Sequence, residues 1–509
     1  MANTTENNKR IAKNTLLLYF RMLFTMLISL FTSRIVLDTL GIEDYGIYNV
    51  VGGIIIMFSF LNSTLSGATS RFLTYEIGCN NISNLSKTFT TARTIHYIVA
   101  FIIFILAETI GIWFLETQLV IPDTRMNAAR FVYQFSILTS IIQVIQIPYN
   151  ATIISHERMN IYAYISIVEA TLKLIIIYLL LIIEYDKLIV YSILYFVTTF
   201  LIYLSYRSYC IVKFKETKAK FKYEPIIFKK MLAFSGWDLY GNISVIASAQ
   251  GMNFLLNIFC GLAINAACAI SNQVRSAVSG FSYNFMVAVR PQIIKRYAEK
   301  EIHDMLILIE NSAKYGYSLL WIISLPLLIE TEFILNLWLK EVPNSTVSLL
   351  RLGLIFSLAQ ILFNSINIGI HATGKMIKIS FITGTLFLLT IPIDYLLLSI
   401  YSNPIIPFIV NIIFAFICGF SNMLILKSYI KEFRIKKFVY HVIIKSCLLS
   451  TFSLSVPYLL YINIPEGWLR FIIICLVSTI WTSVMIYIII TDKTMKRKIF
   501  TIIQHKLCH

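Results

Sequence analysis

Long apolar runs recur along the chain and are separated by short polar turns. They fall at 15–36, 47–66, 95–115, 131–154, 161–183, 188–206, 232–259, 263–289, 313–329, 347–370, 377–398, 405–426, 439–461 and 468–490. Most approach or exceed the roughly 20 residues a helix needs to cross about 30 Å of hydrocarbon. A segment in lipid must satisfy its own backbone hydrogen bonds, so runs of this length predict helices. The pattern therefore predicts an all-α integral membrane protein of about fourteen transmembrane helices. The run at 313–329 is short and ends at Glu330 and Glu332. Those at 232–259 and 263–289 carry more polar residues than a lipid-facing helix tolerates, and are expected inside the bundle.

Composition agrees with the pattern. Of 509 residues, 58% are hydrophobic and 14% charged, with a mean hydropathy of +0.76. A soluble protein has no way to bury that much apolar surface. The 43 Lys and Arg against 26 Asp and Glu give +17, a balance that elsewhere suggests nucleic acid. Here the cations sit in short loops between apolar runs, as the positive-inside rule predicts, so no nucleic-acid partner is expected.

Alternate loops hold the cations. One set carries Lys9, Arg10 and Lys13, then Arg71, Lys87 and Arg93, Arg158, the stretch Arg207 to Lys230, Arg290 to Lys300, Lys375 and Lys378, Lys427 to Lys437, and a tail with Lys493 to Lys498. The opposite loops hold fewer, with acids such as Asp44, Asp123 and Glu341. This bias predicts an even helix count with both termini cytoplasmic. The first run follows Lys9, Arg10 and Lys13 like a secretory leader, but it is too long, contains Arg21, and lacks a small-residue cleavage site, so it is expected to be retained.

The chain reads as duplicated. Ile142-Gln143 through Met159 and Ala359-Gln360 through Met376 align so that Gln143 matches Gln360, Asn150 matches Asn367, and Arg158-Met159 matches Lys375-Met376. Each stretch is the fourth helix of a half with its cytoplasmic turn. Six helices per half keep the orientation, which predicts a parallel repeat. The expected division is an N-terminal six-helix lobe at 1–212, a basic cytoplasmic linker at 213–230, a C-terminal six-helix lobe at 231–430, and an appended helix pair with a cytoplasmic tail at 431–509.

Catalytic chemistry is not expected. The eight cysteines form no Cys-x-x-Cys and mostly lie in or near apolar runs, so neither a disulfide nor a metal site is predicted. Gly369-Ile-His-Ala-Thr-Gly374-Lys375-Met376 has the glycine and lysine of a phosphate-cradling loop. Met376 stands where Ser or Thr would hold magnesium, and a membrane helix precedes it. It reads as a helix end. His156-Glu157 lacks the second histidine of a zinc helix. No cofactor is expected.

The informative residues are polar ones within the membrane. A charge at the bilayer centre costs roughly 2.5–3.5 kcal/mol on insertion scales, so it needs a cavity or a partner. At 100° per residue, Asn14, Arg21, Thr25 and Thr32 share one stripe of the first helix. Asn265, Asn272, Ser276, Ser279 and Tyr283 make a similar stripe on the eighth, with Arg275 near its edge. Two such stripes predict a wet cleft, with Asn14, Arg21, Thr25, Asn272 and Arg275 as candidate substrate-binding residues. For each arginine the alternative is a snorkelling or structurally paired residue. Glu169 and Lys173, four apart, predict a local ion pair. Asp394 and Glu108 are candidate coupling carboxylates.

The run from Asn14 through Ser33-Arg34-Ile-Val-Leu-Asp-Thr-Leu-Gly41-Ile-Glu-Asp44-Tyr45-Gly46-Ile-Tyr48-Asn49 resembles the opening of bacterial polysaccharide exporters of the O-antigen flippase type. Ser155-His-Glu-Arg-Met159 resembles their fourth-to-fifth turn. The resemblance covers most of the chain in layout, but only these stretches in residues. That family belongs to the MATE-like superfamily, with the multidrug/toxin extruders and the peptidoglycan lipid flippase. The resemblance implies two six-helix lobes, often with an added helix pair, in the bacterial cytoplasmic membrane. It also implies flipping of a polyprenyl-pyrophosphate-linked oligosaccharide to the outer leaflet. Cations in the central cavity are expected for that substrate, and Arg21 and Arg275 are the matches. Expected partners are the lipid-linked oligosaccharide and membrane lipids, with a polysaccharide polymerase and glycosyltransferases as further candidates. The rival expectation is a cation-coupled drug extruder, which would favour a buried carboxylate where the first helix has Arg21. A membrane glycosyltransferase or polymerase would show larger outward loops.

The charge bias makes a direct prediction. A cysteine placed at Lys218 is labelled by an impermeant thiol reagent only from the cytoplasm, and one at Asp44 only from outside. Labelling of both from one side contradicts the predicted topology.

Overall fold

The computed structural model describes residues 10–28, single positions between 32 and 48, and residues 59–117, 121–218, 224–339, 342–492 and 496. Every regular element among the described residues is helical. They group into two compact units, one of residues 1–242 with 294–300, the other of 243–293 with 301–509.

The first unit holds α1 (Arg10–Ile28), α2 (Ser59–Gly78), α3 (Ile82–Thr117), α4 (Asp123–Ser155), α5 (Met159–Ile182) and α6 (Lys187–Lys213). Two long helices, α7 (Pro225–Cys260) and α8 (Leu262–Ala298), each run from one unit into the other. The second unit continues with α9 (Ile302–Ile329), the short α10 (Thr331–Trp338), α11 (Thr346–Thr373), α12 (Ile377–Tyr401), α13 (Ile406–Tyr429), α14 (Ile435–Asn463) and α15 (Trp468–Ile490). Twelve of these are long and apolar enough to cross a membrane. They account for twelve of the predicted runs. Of the other two, 47–66 lies half outside the described residues, and its second part opens α2. The run at 263–289 forms α8, a helix of 37 residues whose stripe of Asn and Ser keeps its hydropathy low.

In the first unit α4 is the central helix, packed against α2, α3 and α6, with α5 on α6. Its core is aromatic. Tyr149 sits edge-on to Phe89 and Tyr203, at ring-centre distances of 5.6 and 6.0 Å, and Cys210 donates to the Tyr149 carbonyl at 3.4 Å. A π-helical turn at Ala107–Gly111 widens α3. Such a turn shifts the backbone hydrogen-bond register, and the buried Tyr133 hydroxyl donates to the Ala107 carbonyl at 2.7 Å. At one end of the bundle Arg125 joins three segments. Its Nε donates to Asp44 at 2.8 Å and its Nη1 to Asp186 at 2.7 Å. Asp186 also caps the first turn of α6 through the Leu188 and Ile189 amides. Burial opposes its ionisation, but the Arg125 and Ile189 hydrogen bonds hold the carboxyl below its usual range.

The second unit repeats this order. Its central helix is α11, packed on α9 and α13, with α12 on α13. Three neighbour pairs correspond between the units: α3–α4 with α9–α11, α4–α6 with α11–α13, and α5–α6 with α12–α13. Gly419 lies so close to the Phe363 ring that no side chain fits there, and a Cβ at Gly369 would sit 2.7 Å from Ile309 Cδ1. These small residues let α11 meet α13 and α9 closely. Asn422 donates to Asn367 at 2.7 Å, one of the two asparagines the repeat aligns.

The expectation that 232–259 is enclosed is not met. Ile243, Ile246, Phe254 and Ile258 of α7 are exposed, while Ser244 and Ser248 are buried. Ser244 and Ser248, one turn apart, lie on its buried side.

The appended pair packs on itself and on α9. Trp321 Nε1 donates to Ser453 at 2.6 Å, and the Tyr317 and Ser450 hydroxyls lie 2.6 Å apart. Lys314 reaches Asp492 at 3.3 Å. At the other end, Arg470 makes a bidentate pair with Glu330, at 2.8 and 2.9 Å, and lies 4.5 Å from the Tyr461 ring centre. The Glu330 side chain is 1% exposed. Removing one member of such a pair leaves a buried charge, which costs about 3–5 kcal/mol. Arg470→Leu is therefore expected to lower the detergent-solubilised protein's thermal midpoint clearly, and Glu330→Gln added to it to restore most of the loss. An unchanged midpoint in the single variant would show that the pair does not hold the appended helices.

Candidate functional site

The second unit contains a cavity of about 230 Å³ walled by α7, α8, α11, α12 and α13. Its polar lining is Ser248, Asn272, Arg275, Gln360 and Asn411, and its aromatic lining Phe356, Phe387 and Phe408. Two predicted site residues, Asn272 and Arg275, thus face one space.

The position of Arg275 follows from Gly353. A Cβ there would stand 3.1 Å from Arg275 Cδ, so the missing side chain lets the arginine stem lie along α11. The guanidinium carbon sits 5.6 Å from the Phe356 ring centre. Nε is buried without a hydrogen-bond partner, and among the described residues no carboxylate pairs with Arg275. Asn272 donates to Cys268 Sγ at 3.4 Å, and Asn411 to Met252 Sδ at 3.2 Å. Sulfur is a weak acceptor, so these amides are held lightly. Guanidinium and amide groups thus line one space, and no carboxylate is among its lining residues.

Arg21 lies in the first unit. Its guanidinium carbon is 4.7 Å from the Tyr162 ring centre on α5. Tyr162, Ser166, Glu169 and Lys173 follow one another along that helix face. Ser166 donates to the Tyr162 carbonyl at 2.9 Å, and the predicted Glu169–Lys173 pair forms at 2.7 Å. Lys173 also sits 5.1 Å from the Tyr195 ring centre. The face is therefore a mixed one of cations, an acid and tyrosines.

The remaining predicted residues have local partners. Thr25 donates to the Met22 carbonyl at 3.1 Å. Asn14 is buried and donates to the Glu157 carbonyl at 3.4 Å, while Arg10 pairs with the Glu157 carboxylate at 2.8 Å. In the same turn His156 stacks on Phe214 at 4.2 Å and meets Glu216 at 2.6 Å. Asn14 thus helps tie α1 to the turn before α5. Of the two carboxylates, Glu108 accepts from Gln134 at 3.3 Å. Asp394 is 1% exposed, and neither of its oxygens has a hydrogen-bond partner. The Gly369–Met376 stretch is a helix end, with Gly374 at φ 76° as its left-handed cap.

Sequence reading missed Ser248, Gly353 and Asn411. Ser248 and Asn411 are visible as lone polar residues in apolar runs. Gly353 carries no signal until its neighbour is known.

No protein-family model and no curated protein matches the chain. Solved structures resemble it in fold. A multidrug resistance MATE family transporter of the MOP superfamily, in an outward-facing conformation, is 12% identical with a TM-score of 0.72, covering 84% of this chain and 97% of that one. A MATE protein in a straight conformation is 13% identical with a TM-score of 0.72, covering 83% and 96%. A Vibrio cholerae MATE transporter is 15% identical with a TM-score of 0.64, covering 85% and 98%. The all-α fold of this chain is thus that of MATE transporters.

The cavity can be tested chemically. In a background without the eight native cysteines, Asn411→Cys is expected to react with a small water-soluble thiol reagent, and Gly353→Leu to slow that reaction sharply by filling the space. Equal rates in both proteins would show that Asn411 faces no such cavity.

Proposed function

We propose that the chain is a multi-pass transporter of the bacterial cytoplasmic membrane, with both termini in the cytoplasm. It flips a polyprenyl-pyrophosphate-linked oligosaccharide, the unit of an O-antigen, capsule or other surface polysaccharide, from the cytoplasmic to the outer leaflet by alternating access. It moves its substrate without chemical change. The observation that carries this reading is Arg275, a guanidinium inside a membrane unit, facing a cavity, with no carboxylate beside it. Such a charge costs several kcal/mol unless water or an anion meets it. A pyrophosphate supplies oxygens for both edges of the fork. Arg21, on a tyrosine-lined face of the first unit, is the second cation of the path.

The fold supports transport, since MATE proteins of the same architecture are described in straight, bent and outward-facing conformations. The repeated neighbour order of the two units supports a mechanism built on two halves. Membrane lipids, a polysaccharide polymerase and glycosyltransferases are the proposed partners. The second reading is a cation-coupled multidrug extruder. The buried carboxylate of Asp394 favours it, because a cationic drug needs an acid.

Arginine replacement separates the two. Arg275→Gln and Arg21→Gln are expected to abolish surface polysaccharide export, and Lys at either position to retain part of it, with protein levels unchanged. Export is measured per molecule of membrane-inserted protein. If a Gln variant instead lowers the amount of folded protein, that arginine serves a structural pair. Normal export per molecule by both Gln variants, with loss of resistance to a cationic drug in Asp394→Asn, would establish the extruder.

A further inference from the structure

Two arginines of the first unit meet no acid. Arg93 is on α3 and Arg207 on α6, helices that both pack on α4. One row of aromatic side chains joins them. The Arg93 guanidinium carbon lies 6.0 Å from the Phe89 ring centre. Phe89 and Tyr203 both pack edge-on to Tyr149 of α4, at 5.6 and 6.0 Å. Arg207 Nη1 donates to the Tyr203 hydroxyl at 3.4 Å. The rings of this row are buried, whereas Arg93 is half-buried and Arg207 exposed. Among the described residues neither arginine pairs with a carboxylate. The acids at this end of the unit are taken by other cations: Glu157 by Arg10 at 2.8 Å, Glu216 by His156 at 2.6 Å, and Glu224 by Lys87 at 3.0 Å.

Both helices carry the same order of side chains away from the arginine. At 100° per residue, Arg93, Tyr97 and Phe104 fall within about 40° of one face of α3. Arg207, Tyr203, Phe200 and Phe196 fall within about 60° on α6. On α6 the rings run continuously, with Phe196 6.3 Å from Phe200 and Phe200 6.2 Å from Tyr203. The helices are antiparallel in this respect, since α3 begins and α6 ends at the basic end, so both stripes descend from arginine through tyrosine to phenylalanine. That is the depth order of a lipid: phosphate at the rim, the headgroup boundary where tyrosine is favoured, then acyl chains. The surface beside the stripes is apolar. Ile98, Phe101, Ile102 and Ile105 of α3 and Val197 and Leu201 of α6 are exposed, a surface suited to acyl chains and not to water.

We infer that this face of α3 and α6 is a binding site for an anionic membrane phospholipid, with its headgroup drawn to Arg93 and Arg207 and its acyl chains along Phe104, Phe200 and Phe196. Arginine suits phosphate because its planar fork can donate two parallel hydrogen bonds. The headgroup carries a net negative charge, because two guanidiniums without an acid offer nothing to the ammonium of a zwitterionic lipid. The exposed apolar surface on both helices makes the occupant a lipid of the surrounding bilayer.

Native mass spectrometry of the full-length protein in detergent tests this. The protein is titrated with dioleoyl phosphatidylglycerol or dioleoyl phosphatidylcholine, and the dissociation constant of the first lipid bound is read. Phosphatidylglycerol is expected to bind wild type more tightly than phosphatidylcholine. One basic side chain strengthens attraction to anionic lipid by about fivefold. Arg93→Gln and Arg207→Gln are therefore each expected to weaken the phosphatidylglycerol constant about fivefold, and the double variant about thirtyfold, with phosphatidylcholine unmoved. Arg207 is exposed, so its single variant covers the case in which the double variant fails to fold. Lys375→Gln with Lys378→Gln, at exposed positions of the second unit, removes the same charge and is expected to leave the constant at its wild-type value. Equal constants for the two lipids in wild type would show that the arginines only snorkel, and would overturn the site. An equal loss in the lysine variant would overturn it too, because the attraction would then belong to the charge of the whole protein. Displacement of phosphatidylglycerol by an equimolar polyprenyl phosphate would overturn the phospholipid as occupant.

Discussion

The hydrocarbon interior of a bilayer offers no hydrogen bonds, and most of this structure is a response to that fact. The backbone answers by making every regular element among the described residues a helix. At the π turn of α3 the Ala107 carbonyl accepts from the Ile112 amide and also from the Tyr133 hydroxyl. Polar side chains inside the units follow the same rule. Ser248 finds Thr390, Asn422 finds Asn367, Trp321 finds Ser453, and Arg470 finds Glu330. Other buried polar atoms, in both units, have no hydrogen-bond partner, and Arg275 Nε and both Asp394 oxygens are among them.

The same constraint explains where close packing is used. Apolar helices gain no hydrophobic driving force from each other in lipid, so they hold together through van der Waals contact and a few polar bonds. Gly369 and Gly419 bring α11 against α9 and α13. Gly353 does something different: it yields its side-chain volume to the Arg275 stem. One residue type thus closes the bundle in two places and opens a niche for a cation in a third.

The units are built alike and furnished differently. Both centre on the fourth helix of a half, and both keep an asparagine at the aligned position. Only in the second does that asparagine, Asn367, receive a side-chain bond from Asn422; the Asn150 oxygen is buried without one. The first unit answers its intramembrane cations with Glu169 and Tyr162 on α5 and Tyr195 on α6. The second leaves Arg275 to Phe356 and the cavity. A short motif also changes meaning. Asp44, within the Gly41–Tyr48 run that resembles the flippase opening, is a structural acid here, since Arg125 bridges it to Asp186.

The sequence by itself determined the all-α class, the number of apolar helices to within two among the described residues, and the ion pair between Glu169 and Lys173. These rest on local rules: length against bilayer thickness and spacing on a single helix. It also singled out Arg21, Asn272 and Arg275, because a polar residue in an apolar run is visible without coordinates. Tertiary structure decided what each of them meets. That Asn272 and Arg275 share a cavity with Gln360 and Asn411, that Asn14 bonds to the turn before α5, and that Asp394 meets no donor all depend on helices far apart in sequence. Periodicity gives the face a residue occupies, but not the neighbour on the other side of it, and the neighbour decides whether a buried charge is paired, solvated or waiting for a ligand.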